Sequence, residues 1–247
     1  MPMLYDDPDL YDALLPASAA QVNGYLNLAR ACGGDVLALA CGSGQLLVPI
    51  ASTGISAAGL DQSSKMLSAA SRRAAASGAA VELVEGDMRD FDLGRRFSLI
   101  FVARNSLLHL SEQVEFAAFF SSVRRHLKPG GVLVFDIFNP SLRLLSRPSG
   151  ERFHVMRAMS PLHGELTVDA TNDYDRHSQI NRATWFVSTA EQRDAWVIPL
   201  HLRSIFPQEL LSLLAANGVD LLRRDGDLDG GSFMSMSMSQ VCHCRLT

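Results

Sequence analysis

Residues 35–44 read DVLALACGSG. The apolar run 35–40 has the length and composition of a short buried strand, and the chain then turns through Cys41, Gly42, Ser43 and Gly44. Residues 45–52 resume an apolar pattern that reads as a helix. Glycines at such a strand-to-helix turn let the backbone come close to a ligand, and the first helical turn offers N–H groups without partners. A second short strand, 57–60, ends at Asp61. A carboxylate there can accept both hydroxyls of an adenosine ribose.

Working outward, the same alternation continues. Ser63 or Ser64 can cap a helix running through Ser77, with Gly78 as its stop. Strand 81–85 leads into Gly86, Asp87 and Met88, and strand Phe97–Val102 into Ala103, Arg104 and Asn105. Ser111 and Glu112 open a helix whose expected apolar face includes Val114, Phe119, Val123 and Leu127, and Lys128-Pro129-Gly130-Gly131 is expected to stop it. Strand 132–138 is apolar except for Asp136. Nearly continuous apolar strands separated by helices indicate a parallel sheet covered on both faces. Right-handed crossovers place all the strand C-termini on one edge, where ligands of such folds bind. Gly42, Asp61, Asp87 and Arg104 are thereby expected to converge.

Beyond residue 141 the pattern lengthens and alternates. Segments 163–173, 179–190 and 195–206 are expected as antiparallel strands inserted into the fold or laid over it. Pro207 suits the first turn of a helix to Asn217 with Gly218 behind it, and 219–224 and Ser239–Leu246 read as final strands. The expected fold is an α/β, Rossmann-like, seven-stranded sheet with an antiparallel β insertion after the fifth strand. Residues 1–140 would form the ligand-binding core, 141–206 the insertion or substrate cap, and 207–247 would complete the core sheet.

Composition narrows the function classes. The chain has 247 residues, 47% apolar and 19% charged, which suits a packed core rather than a disordered polymer. A net charge of −4 gives no electrostatic argument for nucleic acid or an anionic membrane. The N-terminus is acidic without a signal pattern, and no run of roughly 18 apolar residues suggests a span. The four cysteines are scattered, so reduced thiols and a cytoplasmic location are expected.

VLALACGSG at 36–44, GLDQSSKML at 59–67, LVEGDMRDF at 83–91 and HLKPGGVLVFDIF at 126–138 together resemble the class I S-adenosylmethionine-dependent methyltransferases. The N-terminal LYDDPDLYDALLP and the C-terminal half are similar to a small-molecule branch of that family. The resemblance implies S-adenosylmethionine as cofactor, bordered by Gly42 and Gly44, with Ala40 and Cys41 at its methionine end. Asp61 would hold the ribose, Gln62 would lie beside the adenine, Asp87 would receive the adenine amino group, and Met88 would pack on the ring. Met66 joins this set, Ala103 and Arg104 would contact the methionine portion, and Tyr5 or Tyr11 would close over the cofactor. The family usually has an acid where this chain has Ala38 and a glycine where it has Ala40; the acid helps orient the methionine end. A nicotinamide dinucleotide fold would place a third glycine at Leu47, so a nucleotide-dependent oxidoreductase is disfavoured.

Sulfonium methyl transfer is an in-line displacement in which the protein chiefly positions the reactants. His109 is the candidate catalytic base, its ordinary pKa being near neutrality; otherwise it only hydrogen-bonds near a helix start. Arg104 either binds a carboxylate or phosphate or pairs with Glu112. Asn105-Ser106-Leu107-Leu108 lacks the proline and aromatic residue of nucleic-acid amino methyltransferases, so nucleic acid is not expected as acceptor. Tyr174, Arg182, Trp185 and Trp196 either pack a strand face or line a substrate pocket. Asp225, Asp227 and Asp229 read as an acidic turn, Cys242-His243-Cys244 has poor geometry for one ion, and no metal is expected. Met234, Met236 and Met238 alternate with serines, as on a half-buried strand face or a flexible loop. The expected reaction is methyl transfer to N or O of a small metabolite, with nitrogen preferred because no strong base or metal pattern is present. The alternatives are a protein that binds the cofactor without turnover, the oxidoreductase, and an interaction module on this fold.

Overall fold

The computed structural model describes residues 4–246. In chain order the elements are α1 (Pro8–Leu14), α2 (Ala19–Cys32), β1 (Val36–Leu39), α3 (Leu47–Ala51), β2 (Ala57–Asp61), α4 (Ser64–Ser77), β3 (Glu82–Glu85) and β4 (Phe97–Val102). Then come α5 (Gln113–His126), β5 (Leu127–Phe138), α6 (Leu142–Leu145), β6 (Phe153–Ser160), β7 (Gly164–Asp175), β8 (Ile180–Ser188) and β9 (Trp196–Arg203). The chain closes with α7 (Pro207–Ala216), β10 (Val219–Asp225) and β11 (Ser239–Leu246).

Among the described residues the strands form two sheets. The larger is seven-stranded, in the order β10-β11-β5-β4-β1-β2-β3. Its β1 to β5 pairings are parallel, and β11 runs antiparallel to both β5 and β10. The central strand is buried along its whole length, from Val36 through Leu39, because helices cover both faces. Phe116, Phe119, Phe120 and Val123 of α5 pack with Leu37, Ile100 and Phe135 on one face. Tyr25 and Ala29 of α2 pack with Ala38, Phe101 and Val134 on the other. The smaller sheet, β6-β7-β8-β9, is antiparallel throughout. Leu4, Leu10 and Leu14 from the N-terminal segment cover it, against Leu166, Val168, Val187 and Ile198.

Local signals explain the boundaries. Ser63 accepts from the Met66 N–H to cap α4, and Gly78 ends that helix at φ 66°, a left-handed conformation cheap only for glycine. Three expectations need correction. Val114 is 72% exposed, so the buried face of α5 keeps Phe119 and Val123 of the expected stripe, adds Phe116 and Phe120, and leaves Val114 out. Lys128-Pro129-Gly130-Gly131 lies inside β5, which starts at Leu127, and the ladder to β4 shifts register between Phe97 and Leu99 to accommodate it. An additional strand, β6, precedes the three expected ones. It is an edge strand buried fully only at Ser160, so its sequence carries almost no alternation to read.

Gly59 sits where β2 passes beneath the glycine loop. A Cβ there would stand 2.5 Å from Leu47 Cδ2 and 2.7 Å from Cys41 Sγ. Gly59→Val is expected to destabilise the protein by about 1–3 kcal/mol through overpacking. A thermal melt matching that of the parent would contradict this packing.

Candidate active site

The turn after β1 is held in an unusual shape. Ala40, Gly42 and Gly44 all have positive φ, at 50°, 56° and 77°. At Gly44 a side chain would also meet Val48 Cγ2 at 3.0 Å and the Ala70 Cβ at 3.1 Å. Ala40 adopts this region without glycine's freedom, at a cost of roughly 1–2 kcal/mol. Asp61 at the end of β2 ties the turn down. Its Oδ2 accepts from the Gly42 N–H at 2.7 Å and its Oδ1 from the Ser63 N–H at 2.9 Å. Burial raises its pKa and these backbone donors oppose the rise. Each oxygen keeps acceptor capacity, which is the chemistry a ribose diol requires.

The N-terminal segment crosses this turn. Asp12 of α1 accepts from the Ser43 hydroxyl, from Gln45 Nε2 at 2.7 Å and from Arg73 at 2.5 Å, while Arg73 also donates to the Ser43 carbonyl. Gln45 accepts the Ala17 N–H, and the Arg104 guanidinium donates to the Leu15 carbonyl while lying 5.5 Å over the Tyr11 ring. The expected alternative of an Arg104–Glu112 ion pair is therefore not what the structure shows. Ser63 donates to the Tyr5 carbonyl at 2.9 Å, and the Tyr5 hydroxyl lies 2.7 Å from His109 Nε2. Tyr11, Ala40, Cys41, Gly42, Ala103 and Arg104 consequently line one crevice beneath this strap.

His109 ends a short 3-10 turn, Ser106–His109, and its ring meets Tyr5 edge-on with centroids 5.5 Å apart. The ring retains solvent exposure, yet the groups around it desolvate the cation and lower its pKa. Burial also raises the Tyr5 pKa, so this phenol stays protonated at neutral pH. On the far side, Asp87 is bound by Arg89 through Nε at 3.0 and 2.9 Å and through Nη2 at 2.6 Å, and Arg89 also pairs with Glu115 at 2.5 Å. Arg89 holds the Asp87 carboxyl below the usual range, and the Gln62 side chain bonds to it as well. Met88 and Met66 are 9% and 1% exposed, so both act as packing beneath the turns.

The structure thus sets the turns bearing Gly42, Asp61, Asp87 and Arg104 along the C-terminal edge of four adjacent parallel strands. It also adds Asp12, Gln45 and Arg73, which no local pattern singles out. The remaining sequence candidates lie elsewhere. Asp225 pairs with Arg223 at 2.9 Å and His243 at 3.0 Å, and Asp227 accepts the Asp229 and Gly231 N–H groups in a tight turn. Cys242 and Cys244 are buried in the core, where burial pushes the Cys242 thiol up to about 12. Among the described residues no group of three or more His, Cys, Asp or Glu side chains is arranged to hold a metal ion. Met234, Met236 and Met238 are 67%, 86% and 80% exposed between β10 and β11, as in the loop alternative. Trp185 and Trp196 pack against the α1-covered cluster, Tyr174 is half-buried, and Arg182 pairs with Asp175 at 3.4 Å.

A family model described as a methyltransferase domain matches residues 36–131, the stretch that carries these turns. This stretch is a methyltransferase domain, and the relatives and solved structures support an S-adenosylmethionine-dependent methyltransferase of the class I type. It is 27% identical over 245 residues to the cypemycin N-terminal methyltransferase of a Streptomyces species, covering 97% of this chain and 96% of that protein. It is 39% identical over 102 residues to the dTDP-3-amino-3,6-dideoxy-alpha-D-glucopyranose N,N-dimethyltransferase of Streptomyces fradiae, covering 41% of this chain and 38% of that protein. The CcbJ methyltransferase of Streptomyces caelestis superposes with a TM-score of 0.82 at 26% identity, covering 94% of this chain and 97% of that one. No helix among the described residues is long and apolar enough to cross a membrane.

Asp12 is the shared acceptor of three of the bonds that hold the strap over the crevice. Asp12→Ala leaves Arg73, Gln45 and the Ser43 hydroxyl short of a shared acceptor, at a cost of about 1–3 kcal/mol. Residues 5–17 should then exchange their amide hydrogens faster, and S-adenosylhomocysteine should bind at least several-fold more weakly. Unchanged exchange in that segment would contradict the latch.

Proposed function

We propose that this methyltransferase acts on an aliphatic amino nitrogen of a small acceptor. The observation that carries the reading is the Tyr5–His109 pair, set beside Tyr11 of the crevice whose floor is the Asp61-anchored glycine turn. The amino-group chemistry named for the cypemycin and dTDP-amino-sugar relatives supports it.

In this reading Asp61 holds the ribose hydroxyls, and Gln62 and Asp87 meet the adenine, with Met88 and Met66 packed behind it. Ala40, Cys41, Gly42, Ala103 and Arg104 surround the amino-acid end, and Tyr11 covers it. When bound, S-adenosylmethionine supplies a methyl group on a sulfonium, a leaving group that needs no further activation. The chain's own task is to hold an unprotonated amine in line and to receive the proton released once nitrogen has bonded to carbon. With Nε2 of a neutral His109 ring unprotonated, the Tyr5 hydroxyl donates to it, and the pair can then pass that proton from the amine through the phenol to the imidazole. Residues 141–206, facing the strap from the smaller sheet, serve as the acceptor cap.

Incubating the protein with methyl-labelled cofactor and matched panels of amines and alcohols should transfer label to amines, amino sugars or free peptide termini. Label appearing on alcohols alone would contradict the proposal. Asp61→Ala should weaken S-adenosylhomocysteine binding by about 1–3 kcal/mol, the usual cost of lost charged hydrogen bonds; calorimetry showing no change would remove the ribose assignment. Because burial lowers the His109 pKa, the ring is neutral and competent above that pKa and loses competence as pH falls through it, below about 6.5. The acid limb of kcat should therefore lie below about pH 6.5 and vanish in His109→Ala, with cofactor affinity unaltered. An acid limb that survives the substitution would leave His109 no proton-transfer role.

A further inference from the structure

One face of the smaller sheet looks toward the strap and the turn that carries His109. Pairing register places Asn181 of β8 on that face, opposite Tyr174 of β7 and Leu202 of β9. At one end of the face Val168 and Val187 are buried against the leucines of the N-terminal segment. At the other end Leu202 packs against the core cluster that holds Leu108 and Leu110, the residues on either side of His109. Between these ends Ala183, Trp185 and Leu200 are only half-buried, so solvent reaches the face there. Tyr5, whose hydroxyl meets His109, follows Leu4 of the covering segment, and the Tyr5–His109 pair therefore lies beside this open stretch.

Two carboxamides lie on this face, and they differ in kind. Asn172 is committed to the fold, because its Nδ2 donates to the Leu144 carbonyl at 3.1 Å. Asn181 is 9% exposed, and its Oδ1 is buried without a hydrogen-bond partner. The Ser204 hydroxyl, two residues beyond Leu202, is also buried without one. An amide oxygen withdrawn from water and given no donor destabilises the folded chain. A group that weakens the fold and holds none of it together is accounted for by a ligand it serves. The last side-chain torsion of asparagine is broad, so a modest rotation turns the Asn181 carboxamide toward the open stretch.

We infer that Asn181 is a specificity-determining residue for the acceptor, its carboxamide receiving a hydroxyl or amide group that the acceptor carries near its amino nitrogen. This rests on the amino-acceptor reading of the site. A carboxamide both donates and accepts without charge, which matches a neutral group of that kind and not a second ammonium or a carboxylate. The half-buried Ala183, Trp185 and Leu200 give the acceptor's carbon frame an apolar wall. The substrate class is thereby narrowed from amines in general to amines bearing a neutral hydrogen-bonding group. An amine lacking that group leaves the Asn181 amide unanswered in the complex, which is how a buried polar group rejects an analogue.

The test uses three amines with methyl-labelled cofactor: glucosamine, with hydroxyls beside its amine, glycinamide, with an amide, and cyclohexylamine, with neither. The parent should favour glucosamine or glycinamide over cyclohexylamine at least tenfold in kcat/KM, the better of the two telling hydroxyl from amide. In Asn181→Leu that ratio should fall about tenfold or more. A ratio that the substitution leaves unchanged, or a parent that favours cyclohexylamine, would overturn the assignment while leaving the amine reading standing. Label on cyclohexanol and on none of the amines would instead overturn the amine reading. Where turnover is too slow to read, the same ratio is taken from the dissociation constants of the three amines for the protein with S-adenosylhomocysteine bound, and absence of any preference there overturns the assignment. Stability supplies a second readout. Asn181→Leu and Asn181→Ala each remove the unanswered oxygen and differ in bulk, so at least one of them should melt no lower than the parent. Both melting clearly lower would show that Asn181 serves a structural partner or a trapped water, and would overturn the assignment.

Discussion

Asp61 grips two backbone N–H groups, those of Gly42 and Ser63, and through them couples the turn after β1 to the start of α4. A turn with positive φ at Ala40, Gly42 and Gly44 does not hold itself; each such residue other than glycine is paid for elsewhere in the fold. The carboxylate provides that support at the place where a diol would be received. Removing it loosens the floor of the crevice and, in the proposed reading, also takes away the acceptor for the ribose hydroxyls. The close packing of Gly59 against Leu47 and Cys41 keeps β2 near enough for the grip to form.

Above that floor the chain closes the crevice with its own N-terminus. Leucines of the N-terminal segment bury themselves against the smaller sheet, while Asp12 and the Leu15 carbonyl are bonded to residues of the larger one. The strap therefore belongs energetically to both sheets. Polar bonds fasten it to the larger sheet, and a buried apolar face fastens it to the smaller one. Asp12 of the strap and Asp136 of β5 are carboxylates of different kinds. Asp12 faces a guanidinium, whereas Asp136 is sealed beneath the β4 turn with a phenol and an amide.

Much of the larger sheet was legible because its signals are local. Phe97–Val102 and Ser239–Leu246 are strands over the lengths their apolar patterns suggest, and Ser63 and Gly78 mark the two ends of α4. Local pattern failed where burial is one-sided or absent. β6 is an exposed edge strand, Val114 is an apolar residue in water, and Lys128-Pro129-Gly130-Gly131 is a turn-like string accommodated within a shifted ladder. The turns of the site could be placed by combining short strands with right-handed crossovers. The contacts that organise those turns could not. Ser43 meets Asp12 across 31 positions, Arg73 meets Asp12 across 61, and Tyr25 meets Asp136 across 111. Such pairings follow from the topology of the folded chain, and no window of sequence carries them.

The central claim is spatial: the turns bearing Gly42, Asp61, Asp87 and Arg104 surround one adenosyl ligand beneath the N-terminal strap. A crystal structure of the protein with S-adenosylhomocysteine addresses it directly. The account predicts the ribose hydroxyls on Asp61, the adenine toward Gln62 and Asp87, and the amino-acid end among Ala40, Cys41, Ala103 and Arg104. Ligand density away from this edge, or a crevice filled by protein side chains with the ligand on the outer surface, would contradict it.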